Sequence, residues 1–256
     1  MRYTLLLSVF LVIYACANPT QESTTIVQQV AIDYPAELVD IFNNHGGLDK
    51  WKSMKTLSYE IVKDEGNEKQ TIDLQNRWER IEASNFTSGY DGKEYWVEAD
   101  TSYTGNAKFY TNLMFYFYAM PFVLADEGII YTSEDPIVYG GKSYPGIGIA
   151  YDDGVGIAPK DQYFLHYDPD TKEMAWLGYT VTFFSGEKSE KRSYIRYDDW
   201  KNFNGVKLPN SLTWFKVEEG KLLEPRNTRQ FANVTLTEKQ LDHTTFVKTA
   251  GAKVVE

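Results

Sequence analysis

Thr56-Leu57-Ser58-Tyr59-Glu60-Ile61-Val62-Lys63 alternates apolar with polar side chains, so that Leu57, Tyr59 and Ile61 share one face. Successive side chains of a strand point to opposite sides, and alternation of this kind marks a half-buried β-strand. Asp64-Glu65-Gly66-Asn67 supplies the turn that follows. Thr71–Ile81 then sets Ile72, Leu74 and Trp78 on one face, and Ser88–Ala99 sets Tyr95, Val97 and Ala99 opposite Glu94, Trp96 and Glu98. Three such runs separated by turns predict an antiparallel meander.

The rhythm resumes downstream. Ile129–Tyr131, Ile137–Tyr139, Ile147–Tyr151, Gln162–Tyr167 and Ala175–Phe184 read as strands, as do Ser193–Tyr197, Val206–Leu208, Ser211–Val217, Gln230–Leu236 and Phe246–Val247. Ala175–Phe184 is apolar at every odd position and also at Trp176 and Phe184, which places it deep in a sheet rather than at its rim. Two short helices precede the strands. Pro35–Asn44 carries the stripe Leu38, Ile41 and Phe42 and ends at Gly46-Gly47, and Leu48–Met54 carries Trp51. Between the two strand-rich stretches, Phe109–Leu124 is apolar nearly all round at helical spacing, with Pro121 set to end or kink it. The expected fold is mainly β (α+β): a single curved antiparallel sheet forming an open half-barrel of about ten or eleven strands, with helices covering the concave face.

The N-terminus carries a different message. Arg2 is followed by the apolar run Leu5–Tyr14, then Ala15 and Cys16, the only cysteine, and then the polar Asn18-Pro19-Thr20-Gln21. A charged start, a short apolar run and a small residue before a cut form an export signal. The run is shorter than the ~20 residues that a membrane-spanning helix needs. A cysteine at the cut resembles the bacterial lipobox, whose thiol is acylated. The expected division is therefore a signal peptide at 1–15, a lipid-tethered flexible linker at 16–30 and the half-barrel at 31–256. An ordinary secretory signal with an incidental Cys16, or an anchor that is never cleaved, are the alternatives. With one cysteine, no internal disulfide can form.

Composition excludes other classes. The chain holds 43% hydrophobic and 24% charged residues, which suits a globular fold rather than a disordered one. Its formal charge of −10 argues against nucleic acid as a partner. Nineteen Tyr and fourteen Phe lean toward β-sheet. Gly141-Lys142-Ser143 imitates the end of a P-loop, but Pro136 stands where its first glycine belongs, and Pro145-Gly146 opposes the helix that should follow. Gly146, Gly148, Gly154 and Gly156 around Asp152-Asp153, with Asp161, read as turns and bulges sooner than as a weak calcium site. His45, His166 and His243 lie in separate elements, with His45 expected beside the carbonyls that end a helix. No Gly-x-Ser-x-Gly elbow occurs; Glu79/Glu82, Glu94/Glu98 and Asp198/Asp199 offer the paired carboxylates a glycosidase needs, and most of the 36 acids are expected to be solvated surface. Asn85-Phe86-Thr87 and Asn233-Val234-Thr235 match the glycosylation sequon by chance if the chain is bacterial. No catalytic residue, metal or cofactor is expected.

Several segments carry a family likeness. Phe231-Ala232-Asn233-Val234, then Leu241-Asp242, Phe246 and the tail Gly251-Ala252-Lys253-Val254-Val255 resemble the end of a domain of the outer-membrane lipoprotein-sorting and lipoprotein-carrier superfamily. His45-Gly46-Gly47-Leu48-Asp49-Lys50-Trp51 and Phe115-Tyr116-Phe117-Tyr118-Ala119-Met120-Pro121-Phe122 are similar to a domain-of-unknown-function family of Gram-negative lipoproteins. The resemblance implies a half-barrel closed by helices and a concave groove that binds lipid or acyl chains. It supplies no catalytic residues.

Together these readings predict an exported lipoprotein, lipid-anchored through Cys16 to the bacterial envelope, at the outer membrane and facing the periplasm. Its ligand is expected to be a lipid, an acyl chain or a lipoprotein. The expected groove lining is Leu74, Trp78, Val97, Phe115, Phe117, Met120, Phe122, Trp176, Tyr179, Phe183 and Trp214. Two alternatives stand beside it: a glycan-binding or glycan-cleaving lipoprotein, and an envelope scaffold that meets a protein partner and holds no small ligand.

Overall fold

The alternating runs of the sequence form one antiparallel sheet of thirteen strands in the computed structural model, which describes residues 33–151 and 160–255. Cys16 and the expected signal segment and linker lie outside the described residues, as do Asp152, Asp153, Gly154 and Gly156.

Helices α1 (Ala36–Asn44) and α2 (Leu48–Ser53) come first, as their apolar stripes predict. Strands β1 (Thr56–Ile61), β2 (Glu68–Asp73), β3 (Glu79–Glu82), β4 (Phe86–Tyr90) and β5 (Tyr95–Ala99) make the first meander. Helices α3 (Ala107–Tyr110) and α4 (Leu113–Tyr118) and a 3₁₀ turn at Phe122–Ala125 follow. The second meander comprises β6 (Ile129–Tyr139), β7 (Lys142–Tyr151), β8 (Tyr163–Tyr167), β9 (Met174–Tyr179), β10 (Ser193–Phe203), β11 (Val206–Glu218) and β12 (Lys221–Thr237). β13 (Lys253–Val255) ends the chain. In space the order is β13-β5-β4-β3-β2-β1-β12-β11-β10-β9-β8-β7-β6, so the two meanders join where β12 pairs with β1. No helix among the described residues is long and apolar enough to cross a membrane.

The sheet has thirteen strands rather than the expected ten or eleven, and its strand boundaries differ from the expected ones in both directions: short turns interrupt two expected strands. Thr71–Ile81 breaks after Asp73, whose Oδ1 accepts the amides of Gln75 and Asn76 at 3.0 and 2.8 Å. Ser88–Ala99 breaks at Asp91, whose Oδ1 accepts the amides of Lys93 and Glu94 at 2.9 and 2.8 Å. An aspartate side chain mimics a backbone turn in this way, and each break creates an extra strand. Elsewhere, expected fragments fuse. Ile129–Tyr131 and Ile137–Tyr139 are parts of β6, bent by an irregular register between Glu134 and Ile137. Val206–Leu208 and Ser211–Val217 are one strand running through Pro209, which sits opposite Trp200. The run Ala175–Phe184 stops at Tyr179. Phe246–Val247 is not a strand; Phe246 caps a 3₁₀ turn, and the closing strand is β13.

The expected continuous helix over Phe109–Leu124 is also corrected. It is broken at Asn112, whose φ of 60° is left-handed. Asparagine tolerates that conformation because its side chain bonds locally. Its amide N–H donates to Glu79 Oε2 at 2.6 Å, and its Nδ2 donates to the Arg77 carbonyl at 3.1 Å. The kink is therefore fastened to β3 and the turn before it. α4 ends at Tyr118, three residues short of Pro121; the chain then passes through a cis Met120–Pro121 bond into the 3₁₀ turn, where Phe122, Val123 and Leu124 stay buried.

The sheet curves. β5 and β7 stand ten places apart in the strand order, and at ~4.8 Å per strand a flat sheet would separate them by about 48 Å. Yet Tyr95 of β5 and Tyr151 of β7 line the same cavity. β13 and β6 are the two edges, so the sheet is an open half-barrel rather than a closed one. Helices and the main core fill the hollow side. Trp51 of α2 stacks on Phe122 with ring centres 4.8 Å apart, Phe42 of α1 stacks on the same ring at 6.3 Å, and Tyr118 of α4 packs against Tyr59 of β1 and Phe231 of β12 at 4.5 and 4.1 Å. A smaller cluster of Tyr144, Trp176 and Phe215 packs separately from that core.

Candidate functional site

The broken segment from α3 to α4 leaves a cavity of about 340 Å³ between itself and the two limbs of the curved sheet. Its walls carry Tyr90 and Tyr95 from β4 and β5, Tyr151 and Tyr163 from β7 and β8, and Phe109, Leu113, Tyr116 and Phe117 from the α3–α4 segment, with Phe183 beyond β9. The rings touch one another: Tyr151 meets Tyr163 edge-on at 5.9 Å, and Phe109 meets Phe183 at 4.9 Å. Aromatic walls bury much apolar area while each tyrosine keeps a polar tip.

The polar groups at this site are few and specific. Arg77, from the turn before β3, donates from Nη2 to both oxygens of Asp126, at 2.6 and 2.9 Å. Its guanidinium lies 4.9 Å from the Phe115 ring centre. Burial raises the Asp126 carboxyl above the usual range, and Arg77 pulls it back. Asp161 accepts the Thr182 amide at 2.6 Å and the Thr182 hydroxyl at 2.7 Å, both on Oδ1. Burial raises its carboxyl too, against those two bonds. Glu127 completes the acidic lining and is exposed.

Near Asn112 lies a buried polar network. Tyr59 donates to Gln70 Oε1 at 2.5 Å, Gln70 donates to Glu68 Oε1 at 2.7 Å, and Tyr110 donates to the same oxygen at 2.7 Å. Glu68 and Glu79 are both fully buried. Desolvation pushes the Glu79 carboxyl up to about 8, opposed by the Asn112 N–H bond. Neutral Glu79 is the form that a dry site favours.

The sequence-derived lining residues scatter around this arrangement. Phe117 and Phe183 line the cavity. Leu74, Phe115, Met120 and Phe122 are buried in the filled core. Tyr179 and Trp214 flank Phe117 at 5.0 and 6.0 Å, and the Trp214 indole donates to the Tyr179 hydroxyl at 2.9 Å. Val97 is half-buried on β5 opposite Ser88. Trp78 packs on His243 and Phe246 at 4.4 and 5.9 Å, outside the main core. Trp176 joins Tyr144 and Phe215 in the separate cluster, because β9 alternates and its neighbours Leu177 and Tyr179 take the hollow side. A strand apolar on both faces hides that parity in its sequence.

Five tyrosines of the wall (Tyr90, Tyr95, Tyr116, Tyr151 and Tyr163) and the charged groups Arg77, Asp126, Glu127 and Asp161 were absent from the sequence-derived lining. The alternation of Glu79 with Ile81 in β3 was the available signal that a carboxylate faces inward. His45 does sit at the end of α1, where Nδ1 donates to the Ile41 carbonyl at 2.8 Å. Among the described residues no group of three His, Cys, Asp or Glu is placed to hold a metal.

No protein-family model matches the chain, and no curated protein matches it. Solved structures do resemble it in fold. A LolA superfamily protein from Nitrosomonas europaea has 9% identity and a TM-score of 0.45, covering 81% of this chain and 96% of its own. A DUF1329 family protein from Desulfovibrio piger has 12% identity and a TM-score of 0.46, covering 80% and 95%. A putative outer membrane lipoprotein-sorting protein domain from Vibrio parahaemolyticus has 9% identity and a TM-score of 0.35, covering 80% and 97%.

Proposed function

We propose that this chain is a non-catalytic binding protein of the bacterial envelope that holds one hydrophobic or amphiphilic ligand in the aromatic cavity beside α4. The observation that carries the reading is the cavity itself: about 340 Å³, walled by aromatic rings from both limbs of the sheet, with charged groups among its lining. Ligand pockets are mostly apolar with a few placed polar groups, and an acyl chain gains about 25 cal/mol for each Å² taken from water. Export and acylation at Cys16, with the chain held at the outer membrane facing the periplasm, belong to the same proposal and rest on the N-terminal sequence.

The test is to purify the chain from membranes, extract it with organic solvent and identify co-purifying lipid by mass spectrometry. Stoichiometric lipid in the extract, lost when the cavity is plugged, is the expected result. A lipid-free extract together with no uptake of a fluorescent fatty acid or a nonionic amphiphile refutes the reading.

One group of carboxylates bears on the glycan alternative. Asp198 and Asp199 line a separate polar cleft of about 320 Å³ with Trp200. Asp199 is held by Lys201 at 2.6 Å and Asn210 at 2.8 Å, and Asp198 by Arg196 at 3.1 Å. The bonds from Lys201 and Asn210 hold the Asp199 carboxyl below its usual range, which makes it a poor general acid. Calorimetry against a polysaccharide panel separates the two readings.

A further inference from the structure

The charge around the aromatic cavity is lopsided, and that asymmetry bears on what enters. Arg77 is the one basic residue on the lining among the described residues; both Asp126 oxygens take its Nη2, while its Nη1 is buried with no hydrogen-bond partner among the described residues. Asp161 and Glu127 remain. Asp161 spends only Oδ1 on Thr182, and its Oδ2 has no hydrogen-bond partner among the described residues. Glu127 is exposed at the rim. The rings beside these acids are tyrosines and phenylalanines, whose faces are electron-rich and attract cations. Two already do so: the Arg77 guanidinium lies 6.0 Å from the Tyr116 ring centre, and Lys108 Nζ lies 5.7 Å from the Tyr95 ring centre. An anionic headgroup entering here meets the carboxylates of Asp161 and Glu127, and the one cation on the lining among the described residues, Arg77, is already paired with Asp126. An ammonium group meets complementary charge and ring faces.

Resting on the amphiphile-binding reading above, we infer that the ligand carries a cationic ammonium head, primary or quaternary, on its hydrocarbon chain, and that Asp161, Glu127 and the surrounding tyrosines recognise that head. A free long-chain amine and an ammonium-bearing lipid share this chemistry. The acidic wall also selects against fatty acids and other simple anionic amphiphiles.

The experiment uses the full chain with Cys16→Ser, in detergent-free buffer. It is titrated by calorimetry with three dodecyl probes kept below their micelle concentrations: dodecyltrimethylammonium, dodecyl maltoside and dodecyl sulfate. The expected ranking puts the ammonium probe about tenfold or more ahead of the sulfate, with the maltoside between. Dodecylamine is expected to follow the ammonium probe. Equal affinities, or a preference for sulfate, overturn the charge assignment while leaving amphiphile binding intact. Failure of all three probes overturns both readings. Asp161→Asn and Glu127→Gln are each expected to shrink the ammonium preference over dodecyl maltoside by about fivefold, the scale of a partly exposed charge pair. Glu127 is exposed, so Glu127→Gln decides the matter should Asp161→Asn fail to fold; an unchanged ammonium preference in a folded variant counts against the assignment.

Discussion

Tyr95 and Tyr151 face one cavity from strands that stand ten places apart in the sheet order. This pairing measures the curvature of the sheet, since a flat arrangement would hold β5 and β7 about 48 Å apart. Spin labels on Tyr95→Cys and Tyr151→Cys, with Cys16 replaced by Ser, are expected to report a distance far short of that span. Pulsed dipolar spectroscopy measures it, and a distance near the flat-sheet value would remove the half-barrel.

Filling the cavity separates binding from folding. Leu113 lies on its wall and is only partly buried. Leu113→Trp is expected to weaken amphiphile binding about tenfold, or ~1.4 kcal/mol. Urea unfolding is expected to stay within about 1 kcal/mol of wild type, because the added ring enters open space rather than packed core. Calorimetry and denaturant melts read the two effects separately.

Phe122 is the opposite case. It is 1% exposed and stacks between Trp51 and Phe42. Phe122→Ala is expected to cost about 3–5 kcal/mol of stability, the range for an aromatic ring removed from a closed core. A much smaller loss would mean that the helices are only loosely docked on the sheet.

Stability should depend on pH through Glu79. Its carboxyl is pushed from the ordinary 4.5 up to about 8 in the folded chain. Between those values the folded state keeps a proton that the unfolded state has released, so stability falls as pH rises through the window. Glu79→Gln keeps an acceptor for the Asn112 amide and removes the charge. Its stability relative to wild type is therefore expected to improve steadily from pH 4.5 toward 8. Denaturant melts across that window check the slope, and a constant difference between the two proteins would contradict it.

His45 and His166 act on the acid side. Burial lowers both to about 4 from the ordinary 6.5. The unfolded chain takes up protons there before the folded chain does, so their contribution is lost as pH falls from 6.5 toward 4. His166→Phe is expected to flatten that limb relative to wild type, measured in the same melts.

The strand-rich character of the chain was determined by local pattern. Leu57, Tyr59 and Ile61 alternate with polar residues, and a two-residue period admits only one secondary structure. The early helix followed equally from Leu38, Ile41 and Phe42. Where a strand was apolar on both sides, as around Trp176, parity could not be read, because burial no longer marks a face. The break at Asn112 could not be read either. Local periodicity favours one helix there, and the opposing term is a bond to Glu79, thirty-three residues earlier. The cavity was decided only by tertiary structure. Its walls come from strands distant in both sequence and sheet order, and the meeting of Tyr95 with Tyr151 depends on accumulated curvature that no single segment encodes.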